Sequence, residues 1–244
     1  MCAKVSSLLT RVFLDEIDIS GFINAAELSL QQELAVVTCF SDAGPRRLVG
    51  NYDHAFSHSG FFDGADDSFD EQVFDNFSAD EDHYLTQLFG ANAAGSVAYN
   101  QVIRLQDQPR SASLGGAVLL NLSGEGSGGL CRGLVLANAT VTGAGDEAGI
   151  EQGATTSGQV YEVVFRVLAF SGTNIVLKVQ ESQNDGSPDT YADVTGLTSG
   201  TLTAPSVVRV TTTAATEAWK RVNVSSPGGF TSALILVTAG TVQA

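Results

Sequence analysis

The sequence predicts a mostly β protein with one short amphipathic helix. Three observations carry that expectation. Twenty-six Gly stand against five Pro, in a chain rich in Thr, Ser and Val, which suits many short strands joined by tight turns. Hydrophobic residues make up 43% of the 244 positions and charged residues only 16%, a balance that excludes a disordered chain and is ample for a buried core. Apolar residues recur with a period close to two along most of the length, and with helical spacing only between residues 66 and 89.

In chain order, residues 11–40 read as two strands around a turn, through Val12, Leu14, Ile17 and Ile19, then Ile23, Leu28 and Leu30. Residues 41–54 read as a loop, with Gly44-Pro45 as its turn signal and the basic pair Arg46 and Arg47 within it. Phe69, Val73, Phe74 and Phe77 are spaced for one face of a helix. Asp66, Asp67 and Ser68 supply the caps and negative charge that a helix start favours, so the helix is expected over 66–77. Leu85, Leu88 and Phe89 suggest a second helical turn over 80–89.

From residue 96 onward the pattern is β, with strands expected at 96–105, 114–123, 130–142, 158–170, 174–182, 205–213, 218–224 and 232–239. Residues 122–130 and 143–158 are loops by composition. Asp185-Gly186 gives a hairpin signal. A soft boundary near 150–158 divides the chain into 1–155, which holds the helix and most of the acid, and a strand-rich 156–244 that either stands alone or joins the first part as one domain.

Charge narrows the function. The formal net charge is -15, a sign that repels nucleic acid and anionic membranes, and no basic patch offsets it. No segment approaches the length of a membrane span, and the apolar run near the start is too brief for a signal sequence, so a protein made and used without secretion or membrane is expected. Cys2, Cys39 and Cys131 are too few and scattered for a disulfide framework or a zinc site, and are expected as free thiols, the last two buried.

The chemistry-bearing motifs are sparse. His54, His58 and His83 are read as surface or loop residues, since no nucleophile elbow accompanies the His-Ser neighbours at 58–59. The acids between Asp63 and Asp70 miss the spacing of a calcium loop. No phosphate-binding or dinucleotide fingerprint is present. No catalytic residue, metal ligand or cofactor is therefore expected, and a structural protein is favoured over an enzyme.

Two stretches carry a family resemblance. The first is "LDEIDISGFINAAELSLQQELAVVTCF", "LVGNYDHAFSHSGFFDG" and the acidic helix, with Asp18, Ser20, Gly21 and Asn24, then Gly50, Phe56, Gly60, Phe61 and Phe62. The second lies near the end, with Val179, Gln180, Ser182, Asp185 and Gly186 followed by Arg221, Val222 and Val224. In this order they resemble the tail tube (major tail) proteins of long-tailed bacteriophages, over about two thirds of the chain, with 107–157 outside the likeness.

The resemblance implies a β-sandwich or barrel of the tail-tube type and a virion protein, made in the host cytoplasm. It also implies homohexameric rings that stack into a tube, meet other tail proteins at the tube ends, and let DNA pass through the lumen without specific binding. In that frame Asp63, Asp66, Asp67, Asp70, Glu71 and Asp75 are candidate lumen or interface acids, and Arg46 and Arg47 form a candidate ring-stacking loop. Phe61, Phe62, Phe69, Phe74 and Phe77 are candidate packing aromatics. An electronegative wall repels phosphates and keeps a duplex sliding. The alternatives are a capsid decoration or tail-completion protein, and a carbohydrate-binding β-sandwich module, for which one Trp and five Tyr are a thin supply of aromatic platforms.

Overall fold

The computed structural model describes residues 9–39, 43–64, 69–77 and 81–243, with backbone alone for Phe69, Gln72, Asp75 and Asn76. The protein is mostly β and antiparallel. In chain order the elements are β1 (Arg11–Leu14), β2 (Ile17–Asp18), β3 (Ile23–Val36), β4 (Arg47–Phe61), α1 (Phe69–Phe77), β5 (His83–Leu88), β6 (Val97–Asp107), β7 (Arg110–Ser111) and β8 (Leu119–Gly126). They continue as β9 (Cys131–Val141), β10 (Gly145–Asp146), β11 (Ile150–Glu151), β12 (Tyr161–Gly172), β13 (Ile175–Ser182), β14 (Ala192–Leu202), β15 (Ser206–Thr212), β16 (Trp219–Ser225) and β17 (Phe230–Val242).

The chain forms two compact units. One takes the residues up to Gly21, then Tyr84–Gln101 and everything from Leu130 on; the other takes Phe22–His83 and Val102–Gly129. This division differs from a split near 155. That point falls inside the first unit, where β17 pairs with β9 on one side and β12 on the other, binding residues before and after 155 into one sheet.

In the first unit the strands run β15-β12-β17-β9-β6-β5-β1-β2, facing a second sheet of order β10-β16-β13-β14. Alternation along β12 explains the layering. Tyr161, Val163, Phe165 and Val167 join Ile175, Leu177, Val179, Val222, Val224, Ile235 and Val237 in one buried core between the sheets. The opposite face of β12 carries Arg166. Its guanidinium donates to the carbonyls of Asp15 and Tyr84, so the far strands of the sheet curl back over β12. Phe13, Leu88, Ala98, Val135, Leu236 and Leu168 fill that curl.

In the second unit β4 pairs with β3 along nearly its whole length and with β8 from Ala55 to Phe61, while β8 also pairs with β7 and the end of β6. Phe56, Ile103, Leu120, Leu122 and, on α1, Val73 are buried.

Three local expectations are corrected. Residues 83–88 form β5, not a helical turn: β5 is buried on both faces, which hides the period of two, and it pairs in register with β1 from Arg11↔Leu88 to Leu14↔Leu85. Most of 41–54, read as loop, is the first half of β4, whose backbone groups are satisfied by β3 despite the Gly, Asn and Asp in its sequence. β14 was not anticipated. It pairs with β13 beyond Asp185 and Gly186, which both adopt positive φ, at 57° and 82°.

Candidate functional site

The feature that distinguishes the second unit is the length of the β3–β4 hairpin. Below Ala55 it has a third strand, β8, and β4 alternates: His54, Phe56, His58 and Gly60 point inward and are buried. Above that point, from Arg47 to His54, β4 has β3 alone as its described partner. A two-stranded ribbon is marginal in water by itself. This one is also apolar on the outside: Leu30 is 51% exposed, Leu34 51%, Val36 64%, Val37 41%, Leu48 60% and Val49 63%. Leu34 faces Val49 and Ala35 faces Leu48 across the ribbon. Clustered exposure of this kind marks an interaction surface.

Arg46 and Arg47 sit at the tip of this arm, both exposed, with Arg47 opposite Val36 and the Arg46 amide bonded to Thr38 Oγ1 at 3.1 Å. They are therefore presented at the end of a paired ladder, where Val37 also donates its amide to the Arg46 carbonyl. Cys39, expected buried, is exposed at the same tip, because the run that carries it ends the ribbon instead of entering a core; Cys131 is buried in β9.

The other end of the hairpin carries a second surface. Phe61 and Phe62 are 47% and 36% exposed, and Phe62 donates its amide to the Val118 carbonyl. On α1, Val73 supplies the inward face; Phe74, about 100° further round the helix, is 60% exposed, and Phe77, one turn on from Val73, is 37% exposed. The packing role expected of Phe61, Phe62, Phe74 and Phe77 is thus not met by the chain's own core. Of the acids, Asp63 and Glu71 are exposed. Asp70 accepts from Arg110 Nε at 2.6 Å, and the same guanidinium lies 5.8 Å above the Phe74 ring, so Asp70 is neutralised within the chain. Asp66 and Asp67 lie outside the described residues, as do the side chains of Phe69 and Asp75.

The three histidines are buried rather than on the surface: His54 and His58 at 1% exposure in β4, and His83 at 6% in β5. The reason is that all three lie on strands: β4 turns alternate residues, His54 and His58 among them, inward, and His83 opens β5, which is buried on both faces. His58 stacks tilted on Phe56 with ring centroids 5.1 Å apart. Burial pushes the His58 imidazole down to about 4, and lowers that of His54 as well, against a smaller upward pull from Asp53. Neutral, buried imidazoles of this kind are core packing. Among the described residues no group of three or more His, Cys, Asp or Glu is placed to hold a metal ion, and no described helix is long and apolar enough to cross a membrane.

Sequence reasoning found the basic pair and the aromatics but missed the apolar arm that joins them. A partial signal existed: the strand-forming pair Leu48 and Val49 lies just past Gly44-Pro45, after the apolar run that ends at Val36 and Val37.

No protein-family model matches this chain, and no curated protein does. Among solved structures, a chain of the virion of a native gene transfer agent particle is similar at 18% identity and a TM-score of 0.40, over 50% of this chain and 94% of that one. A chain from the tail of an empty gene transfer agent particle, refined with C6 symmetry, gives 18% and 0.37, over 49% and 92%. The SPP1 Dit protein, described as a hub adsorption apparatus of phages that infect Gram-positive hosts, gives 11% and 0.38, over 96% and 99%. Likeness at this level defines neither a family nor a function for this chain.

Proposed function

We propose that this chain is a structural phage-tail protein whose copies form hexameric rings that stack into the tail tube. The observation that carries this reading is the two-ended β3–β4 hairpin. Its basic, apolar tip and its acidic, aromatic base lie at opposite ends of a 15-residue strand, roughly 45 Å apart at about 3.3 Å per residue. Two different, mutually suited patches on one molecule make a heterologous contact, and heterologous contacts generate rings or filaments rather than closed dimers. Tip Arg46 and Arg47 meet Asp63 and Glu71 of the next copy, and Leu34, Val36, Leu48 and Val49 cover Phe61, Phe62, Phe74 and Phe77. The sixfold ring and the DNA conduit rest on the sequence resemblance. The formal charge of -15 suits a bore through which a duplex slides without binding. The role is structural, not catalytic, and other tail proteins would meet the tube at its ends.

Negative-stain imaging and light scattering of concentrated protein test the reading. Rings or tubes with a central passage are expected. Arg46→Glu with Arg47→Glu should abolish stacking, and adding Asp63→Lys with Glu71→Lys should restore it. Monomers or solid trimers at every concentration would overturn the tube in favour of a decoration or tail-completion role.

A further inference from the structure

We propose that the five-stranded sheet of the first unit carries a binding groove for a neutral saccharide, separate from the assembly surfaces and independent of the tube reading. The groove has a volume of about 510 Å³ and is lined by Asp146, Glu147, Asp185, Thr190, Tyr191 and Arg221 among others. That volume lies within the usual range of small-molecule pockets, roughly 300–1,000 Å³.

Its polar groups come from three separate stretches of chain and are locked together. The Arg221 guanidinium lies 4.2 Å above the Tyr191 ring, pairs with Asp146 Oδ2 at 2.9 Å and donates from Nε to Gln180 Oε1 at 2.8 Å. Tyr191 Oη donates to Asp185 Oδ1 at 2.8 Å, and Asn223 Nδ2 donates to Asp146 Oδ1 at 2.6 Å. The wall behind them is backbone: a Cβ on Gly149 would sit 2.1 Å from Tyr191 Oη and 2.3 Å from Asp185 Oδ1, so only glycine lets the 143–149 segment close against the pair. Asp185 holds φ at +57°, a conformation that carries strain for a non-glycine residue. Groups fixed in this way present themselves to a ligand with little ordering left to do.

The chemistry selects the ligand. Three carboxylates against one guanidinium leave the groove net negative, which disfavours phosphates and acidic sugars. No described cluster is arranged for a metal ion. Arg221, already placed among the acids, opposes a second cation. What remains is a neutral molecule that both donates and accepts. A vicinal diol does so, its hydroxyls donating to the spare lone pairs of Asp146, Glu147 and Asp185 and accepting from Arg221 and Thr190. The Tyr191 hydroxyl, its pKa pushed up to about 12 by burial and by Asp185, stays protonated, keeps its proton on Asp185 and turns its oxygen to the ligand as an acceptor.

The test is saturation-transfer NMR and calorimetry on the full chain. The probes are glucose, galactose, rhamnose, N-acetylglucosamine and maltose, with spermidine and inorganic phosphate as separate arms. At least one neutral sugar should bind with a Kd near or below ~1 mM. Tyr191→Phe and Glu147→Gln should each weaken it about tenfold, the loss of one hydrogen bond to a charged or buried group, while leaving the melting temperature in place. Gly149→Val, which fills the wall, should abolish binding. The proposal is overturned if none of the sugars binds at about 10 mM, if spermidine or phosphate binds instead, or if a bound sugar is insensitive to all three substitutions.

Discussion

Replacing Leu34, Val36, Leu48 and Val49 together by Thr should destroy assembly without touching the fold. Each of these side chains keeps between 51% and 64% of its surface exposed in the single chain. Full burial of a Val or Leu is worth about 1.5–3 kcal/mol, so the exposed half leaves ~1 kcal/mol per residue for a partner to gain, and ~4 kcal/mol for the four. At about 1.4 kcal/mol per decade, docking of one arm should weaken roughly a thousandfold. The folded monomer should change by less than about 0.5 kcal/mol, because Thr keeps β propensity and the residues touch little of their own chain. Sedimentation velocity over a concentration series reads the first effect and thermal unfolding the second. Unchanged assembly would show that the arm is not the interface. A large drop in melting temperature would show that the four side chains are core after all.

Other outcomes follow from the same geometry. Cys39 at the arm's tip should alkylate quickly in the monomer and be protected on assembly, with Cys131 unreactive in both states, as read by mass spectrometry of the modified peptides. Arg166→Met should cost about 3–5 kcal/mol in urea unfolding followed by Trp219 fluorescence, because it leaves three hydrogen-bond acceptors unpaired at about 1–3 kcal/mol each. Its fully buried guanidinium, still charged at neutral pH with its pKa lowered only to about 10, bonds Asp15 O at 2.6 Å, Thr86 Oγ1 at 2.6 Å and Tyr84 O at 2.8 Å; a loss under 1 kcal/mol would contradict that role.

Stability should fall as pH drops from 6.5 toward about 4, since the unfolded chain takes up a proton that buried His58 refuses. The full loss is roughly 3 kcal/mol from this residue, complete at the folded pKa, and the His58→Leu variant should lack that part of the pH profile. Gly133→Ala should disrupt the β9–β17 ladder, because the new Cβ would lie 1.8 Å from the Ala239 carbonyl oxygen; wild-type melting behaviour would refute that close approach.

Much of the strand content was legible because alternation is a local property. β6, β9, β12, β13, β16 and β17 fall within a few residues of their expected positions, because each carries a long run of alternating or β-branched apolar residues. α1 was legible for the same reason, from the spacing of Val73 against the acids. β5 was not, because both faces are buried and a run of the form Leu-x-x-Leu-Phe then fits a helix as well as a strand. The first half of β4 was not, because Gly50, Asn51 and Asp53 look like turn residues and only the pairing with β3 makes them a strand.

The candidate surfaces divide along the same line. Sequence alone determined that the chain is acidic, β-rich and poor in catalytic groups, since charge and period are sums over neighbouring residues. It also placed Arg46 and Arg47 in a loop marked by Gly44-Pro45. Only the tertiary structure decided that β3 and the first half of β4 form a two-stranded arm, that Phe74 faces outward while Val73 faces inward, and that Asp146, Tyr191 and Arg221 share one groove. Those facts depend on which distant strand supplies the hydrogen bonds and where the third strand stops, and no local pattern encodes a partner some tens of residues away.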